Sequence, residues 1–212
     1  MRIKATLHAA SLLALPLSAQ AQESLPPGIW TNTEDEYFAE EEGREKPEWI
    51  GLEIGEDGRW RRVDAFRMPQ GEWQDGSTLE VSPREGGGWN WRGSELRQAR
   101  EFFCWISVRK FAGKPDGSAD WTFQRNLSSF DQGGRIFVPG NGEAPDVTIR
   151  LRNVTWARGS RNKPSLVLYV HKDDPIRAES YSWAAPDSTM VGINLRWVQG
   201  SCSRTESQAE VN

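Results

Sequence analysis

Across residues 146–154 apolar and polar side chains alternate. Val147, Ile149 and Leu151 fall on one face, Thr148, Arg150 and Arg152 on the other. A period of two predicts a half-buried strand with a solvated outer side. Residues 165–171 repeat the alternation after a turn at 159–164. Residues 191–198 read as one more strand, with Val191, Ile193, Leu195 and Trp197 on a common face. Two β-rich runs, 49–54 and 59–66, flank Asp57-Gly58, which predicts a hairpin. Shorter runs at 78–81, 89–92, 102–110, 121–127 and 135–138 are further candidates. Many short strands separated by turns predict an all-β chain, a single antiparallel β-barrel or β-sandwich.

Helical periodicity is scarce. Thr33-x-x-Glu36 has the form of a capping box, so residues 34–42 are expected as one short acidic N-terminal helix ended by Gly43. Residues 94–101 suit either structure: Leu96, Ala99 and Phe103 fit a helical stripe, while the residues that follow favour a strand.

The two ends differ from the body. Arg2 and Lys4 precede a short apolar run, and Ala19-Gln20-Ala21 supplies the small residues of a cleavage site. Residues 1–21 therefore predict a signal peptide cleaved after Ala21, and a periplasmic or secreted protein. The apolar run is too short to span a bilayer. Residues 22–202 are expected as one β-rich domain and residues 203–212 as a disordered polar tail. Cys104 and Cys202 are the two cysteines, and in an oxidising compartment they predict one structural disulfide.

Composition sharpens the picture in two ways. Mean hydropathy is low, −0.67. Eleven tryptophans nevertheless provide large apolar side chains for a core. The formal charge is −4 for the whole chain and becomes more negative without Arg2 and Lys4. A mildly acidic balance carries no electrostatic footprint for nucleic acid or an anionic membrane, and neither partner is expected.

Catalytic machinery is not evident. Beyond the export segment the single histidine is His171, and no Gly-x-Ser-x-Gly displays a nucleophile for it. Asp173 and Asp174 beside it are equally explained as turn residues before Pro175. Residues 116–120 start like a calcium loop, but Trp121 stands where glycine is needed and Leu127 where the bidentate glutamate belongs, so a hairpin loop is the better reading. No cofactor or metal is expected. A pair of carboxylates across a cleft, as in glycoside hydrolysis, leaves no trace in sequence and stays open as an alternative.

Tryptophan beside arginine is the most suggestive chemistry. Trp60 lies within Arg59-Trp60-Arg61-Arg62, and Trp89-Asn90-Trp91-Arg92 follows three glycines at 86–88. On a strand Trp89 and Trp91 face the same side. Such rings either form the core side of the strand or, exposed, stack on sugars and aromatic ligands while arginine clamps a carboxylate. Trp60, Trp89, Trp91 and Arg92 are thus the candidate ligand-binding residues. A small-molecule or glycan ligand is the expected partner, carbohydrate-like and bound without catalysis.

Gly28-Ile29-Trp30 resembles the Gly-x-Trp that opens lipocalin-like barrels. That resemblance implies an eight-stranded meander around a ligand cavity, with the tryptophan closing its base, and a carrier of a small lipophilic ligand. The chain departs from the pattern in the polar segment after Trp30 and in lacking a later Thr-Asp-Tyr. An envelope protein-interaction scaffold is a further alternative, predicting an exposed apolar patch.

Overall fold

The computed structural model describes residues 24–85, 88–156 and 160–204. Residues 1–21, expected as a signal peptide, residues 205–212 of the expected tail, and Gly86, Gly87 and Gly159 lie outside them. Strands take up 49% of the chain and helix 6%, with antiparallel pairing, so the protein is all-β. In chain order the elements are β1 (Gly28–Thr31), α1 (Thr33–Glu41), β2 (Gly51–Ile54), β3 (Trp60–Val63), β4 (Val81–Pro83), β5 (Trp89–Trp91), β6 (Ser94–Ala99) and β7 (Glu101–Arg109). There follow β8 (Trp121–Phe130), β9 (Gln132–Val138), β10 (Val147–Val154), β11 (Ser165–Lys172), β12 (Ala178–Ala184), β13 (Met190–Asn194) and β14 (Val198–Ser203). They form one six-stranded sheet, β3-β2-β1-β6-β5-β4, and two four-stranded sheets, β12-β11-β10-β9 and β13-β14-β7-β8.

The six-stranded sheet is built from local hairpins, with β1 inserted between β2 and β6. At Asp57-Gly58, Gly58 takes a left-handed φ of 77° and donates its N–H to Gly55 O. The ambiguous residues 94–101 are strand, because pairing with both β1 and β5 satisfies their backbone and buries Ser94, Leu96 and Ala99. On the inner side Trp30, Leu52, Trp60, Trp91 and Leu96 pack into one apolar cluster.

The sheets join at a corner. β6 passes into β7 through Arg100, and β8 into β9 through Asp131. Asp131 accepts hydrogen bonds from the Arg100 N–H at 2.8 Å and from Arg100 Nε at 2.6 Å, and its own carbonyl accepts from Asn153 N at 2.6 Å. Burial holds the Asp131 carboxyl above the usual range, although Arg100 opposes it. The corner also explains Gly134: a Cβ there would lie 2.5 Å from Phe130 O.

Between the two four-stranded sheets, Phe102, Ile106, Ile149, Leu151, Leu166 and Leu168 fill a second and larger core. Cys104 and Cys202 face each other across β7 and β14 and are joined by a disulfide within this core. Two sequence expectations need correction here. Residues 191–198 are not one strand: residues 191–194 belong to β13, and residues 195–197 turn the chain into β14 at Val198, with Leu195 N donating to Val198 O at 2.8 Å. The outer side of β10 is only partly solvated: Thr148 and Arg152 are buried and Arg150 is half-buried.

Part of that cover comes from α1. Tyr37 stacks against Arg152, whose guanidinium carbon lies 3.8 Å from the ring centroid, and Thr155 donates its hydroxyl to Glu34. The helix closes with Gly43 at φ 67° and Arg44 N donating to Ala39 O. Thr33 does not act in a capping box. Its hydroxyl donates to Gln132 O at 2.7 Å and accepts from Trp49 Nε1 at 2.9 Å, tying α1 to β9.

Candidate functional site

A concave surface lies on the outer face of β10, β11 and β12. A groove of about 590 Å³ is lined by Trp156, Asn162, Lys163, Tyr169, Tyr181 and Trp183, with Val154, Ser165 and Val167 as its floor. Strand alternation builds it. Leu166, Leu168 and Val170 of β11 point into the core, which sends Ser165, Val167 and Tyr169 outward. Register sets their neighbours: Val167 lies opposite Trp183 and Tyr169 opposite Tyr181. The two tyrosine rings are 6.2 Å apart and tilted by 45°. Trp183 is 71% exposed and Tyr181 64%, an unusual cost for rings on a sheet face. Trp156 is fixed at the rim by its Nε1 donating to Lys163 O at 2.8 Å.

Beside the groove the same face turns basic. Arg135 of β9 lies opposite Arg150 of β10, and Arg150 lies opposite Tyr169. Arg152 follows two positions along. Arg135 donates to Pro175 O at 2.7 Å, and Arg152 Nη2 lies 3.6 Å from Glu34. The buried Arg150 Nε has no hydrogen-bond partner among the described residues. Burial, then Arg135 and Arg152, push the Arg150 guanidinium below its ordinary pKa. His171, also buried on this face, is held low by burial and by Arg135 and Arg150, which keeps the ring neutral at pH 7. Neither of its ring nitrogens has a well-formed hydrogen bond among the described residues.

The residues singled out in sequence sit elsewhere. Trp60 and Trp91 are interior, 5% and 4% exposed, and meet edge to face at 6.0 Å. Trp60 Nε1 donates to Thr78 Oγ1 at 3.0 Å, so its polar atom is satisfied inside. Trp89 is half-buried against the same cluster. Arg92 is exposed and lies over the Trp91 ring at 4.7 Å. The structure brings Trp60, Trp91 and Arg92 together, as a packed corner with no open ring face between the tryptophans. Trp156, Tyr181, Trp183 and Arg150 were not singled out in sequence. Ser180-Tyr181-Ser182-Trp183 does alternate small polar with aromatic residues, and that signal could have found two of them.

Several carboxylates are committed to arginine. A second, polar pocket of about 330 Å³ holds Glu34, Asp35, Glu42 and Glu95 together with Arg44, Arg84 and Arg97. Arg44 bridges Asp35 and Glu42 at 2.9 and 2.8 Å, and Arg97 reaches Glu95 at 3.0 Å. Glu53 binds Arg61 at 2.7 Å and Arg67 at 2.9 Å. Burial raises the Glu53 pKa, but the hydrogen bonds and charges of Arg67 and Arg61 outweigh it and hold the carboxyl low. A glycosidase acid requires the opposite shift. Residues 116–120 form a tight loop in which Asp116 accepts from Ser118 N at 2.9 Å. Among the described residues no three candidate ligands gather as a metal site, and no helix is long and apolar enough to cross a membrane.

No protein-family model, curated protein or solved structure matches this chain.

Proposed function

We propose that this is an exported, non-catalytic β protein that binds a carbohydrate-like ligand in the groove of Trp156, Tyr169, Tyr181 and Trp183. The carrying observation is the exposure of Trp183 and Tyr181 side by side on the sheet, with no element among the described residues laid over them. Flat exposed rings stack on the apolar faces of sugars, and Asn162, Lys163 and Ser165 supply polar groups along the edge. Export is supported by the oxidised cysteine pair and by the character of residues 1–21. We read β7 to β14 as a flattened barrel, supported by the single-residue passage at Asp131 and by Ser182 Oγ donating to Gly192 O between β12 and β13. Its interior is packed with side chains, which favours an outer groove over a lipophilic cargo in a lumen.

The test is tryptophan emission of the oxidised protein titrated with a panel of oligosaccharides. A saturable shift that disappears in Trp183→Ala, at an unchanged melting temperature, is the expected result. A flat titration across the panel overturns the proposal.

A protein-binding reading has one observation of its own. Phe103, Trp105 and Phe123 are exposed together on the outer face of β7 and β8, with Trp105 and Phe123 5.7 Å apart. If that face docks a partner, Trp105→Ser abolishes a complex recovered by cross-linking in the native envelope and leaves oligosaccharide binding intact.

A further inference from the structure

We propose that the ligand of this groove is acidic, and that Arg150, backed by Arg135, receives its carboxylate or sulfate. The inference rests on the groove being the binding site.

Strand register lays the two features end to end. Arg135, Arg150, Tyr169 and Tyr181 are direct partners across β9, β10, β11 and β12, so they form one row on one face. Neighbouring strands are about 4.8 Å apart, which places the Arg150 backbone one spacing from Tyr169 and two from Tyr181. The adjacent row runs Arg152, Val167, Trp183. A ring stacked on Tyr181 or Trp183 therefore has arginine at one end, and Lys163 is among the residues lining the groove.

Cations outnumber carboxylates on this face, where Glu36 is the carboxylate that acts on both Arg135 and Arg150. Glu34 stands against Arg152, Glu36 is bound to Lys46 at 2.9 Å, and Arg135 spends a donor on Pro175 O. Arg150 makes no hydrogen bond or ion pair among the described residues, yet it is half-buried between two other guanidinium groups. A cation withdrawn from water beside like charges is unfavourable unless an anion joins it. Arg61, Arg67, Arg97 and Arg100 show the ordinary solution, pairing with Glu53, Glu101, Glu95 and Asp131. Arg150 differs in standing next to an open groove. Guanidinium presents a planar fork that matches carboxylate and sulfate, so it would choose among sugars that the aromatic lining treats alike.

The experiment compares trigalacturonate, a sulfated trisaccharide and neutral maltotriose on the oxidised protein, in low salt and in 0.5 M NaCl. At least one acidic probe is expected to bind tenfold or more tightly than maltotriose, with that advantage reduced by salt. The better of the two acidic probes names the acid group, and either result supports the proposal. Arg150→Gln is expected to erase the advantage without lowering the melting temperature, because it removes a cation from between two others. Arg150→Lys, which keeps charge but loses the fork, should retain part of it. Equal, salt-independent binding of neutral and acidic probes overturns the acidic ligand and leaves the groove standing. Trigalacturonate binding that survives Trp183→Ala, or no binding by any probe, overturns the groove and this inference together.

Discussion

The six-stranded sheet and the sheet β12-β11-β10-β9 are both rich in aromatic residues, but they place them on opposite sides of the molecular surface. In the first, Trp30, Trp60 and Trp91 point inward and close a core with Leu52 and Leu96. In the second, the inward positions are aliphatic, Leu166, Leu168 and Val170, and the large rings of Tyr181 and Trp183 point out. Alternation along a strand is the same in both cases. What differs is which face another element covers. The outer side of β10 is part covered by α1 and part open, and the open part is where the rings gather. Tryptophan next to arginine is therefore not itself a site. Arg61 beside Trp60 binds Glu53 and lies 4.4 Å over Trp73, a structural arrangement in the covered sheet.

The sharpest way to break this contrast is truncation inside the first sheet. Trp91→Ala removes a buried ring that packs against Trp60 and should cost about 3–5 kcal/mol, read as a drop in denaturant midpoint. Next in size is reduction of Cys104–Cys202, expected to cost about 2–5 kcal/mol. That loss should weaken amide protection in β7, β10 and β14 more than in β1 and β2, since the bond lies in the larger core. Equal loss in both would show that the two cores melt as one.

Acid provides a smaller effect at the seam. Glu53 links β2 to Arg61 and to Arg67, and Arg67 also binds Glu101 of β7. Its folded pKa lies below the unfolded value of about 4.3, so its contribution is complete above that pH and fades as pH falls through the folded value. Glu53→Gln should flatten the acid limb of a stability–pH curve and cost about 1 kcal/mol or less at pH 7, given its partly solvated partners. The smallest change belongs to Trp183→Ala, within about 0.5 kcal/mol of the parent in stability. A larger loss there would mean that the outer rings hold the sheet together, and the contrast between the two sheets would fail.

Much of the strand content was legible because β10 and β11 alternate cleanly and Asp57-Gly58 is strong turn chemistry. The β13–β14 turn was missed because Leu195-Arg196-Trp197 contains none of the usual turn residues and continues an apolar alternation. Residues 94–101 were ambiguous for a related reason: their strand state is decided by pairing with β1, far earlier in the chain, as in Ile29 with Ala99. The groove was illegible for a different one. Outward residues on β11 and β12 look the same in sequence under a helix or under water, and the partners of Arg150 are set by register across four strands. The tryptophans singled out were those with arginine neighbours in sequence, whereas the arginine that stands by the groove is a neighbour only in space.

The disulfide across β7 and β14 also bears on how the chain assembles. Its halves are 98 residues apart, and β14 is synthesised after every other strand among the described residues. Until it arrives, one edge of β7 has no partner, although β8 can cover the other soon after synthesis. That unpaired edge carries Phe102 and Ile106 on one side and Phe103 and Trp105 on the other, an invitation to pair with another molecule. Production of the intact fold should therefore be limited by protection of this edge during synthesis, and truncations before residue 198 should aggregate rather than yield a smaller soluble protein.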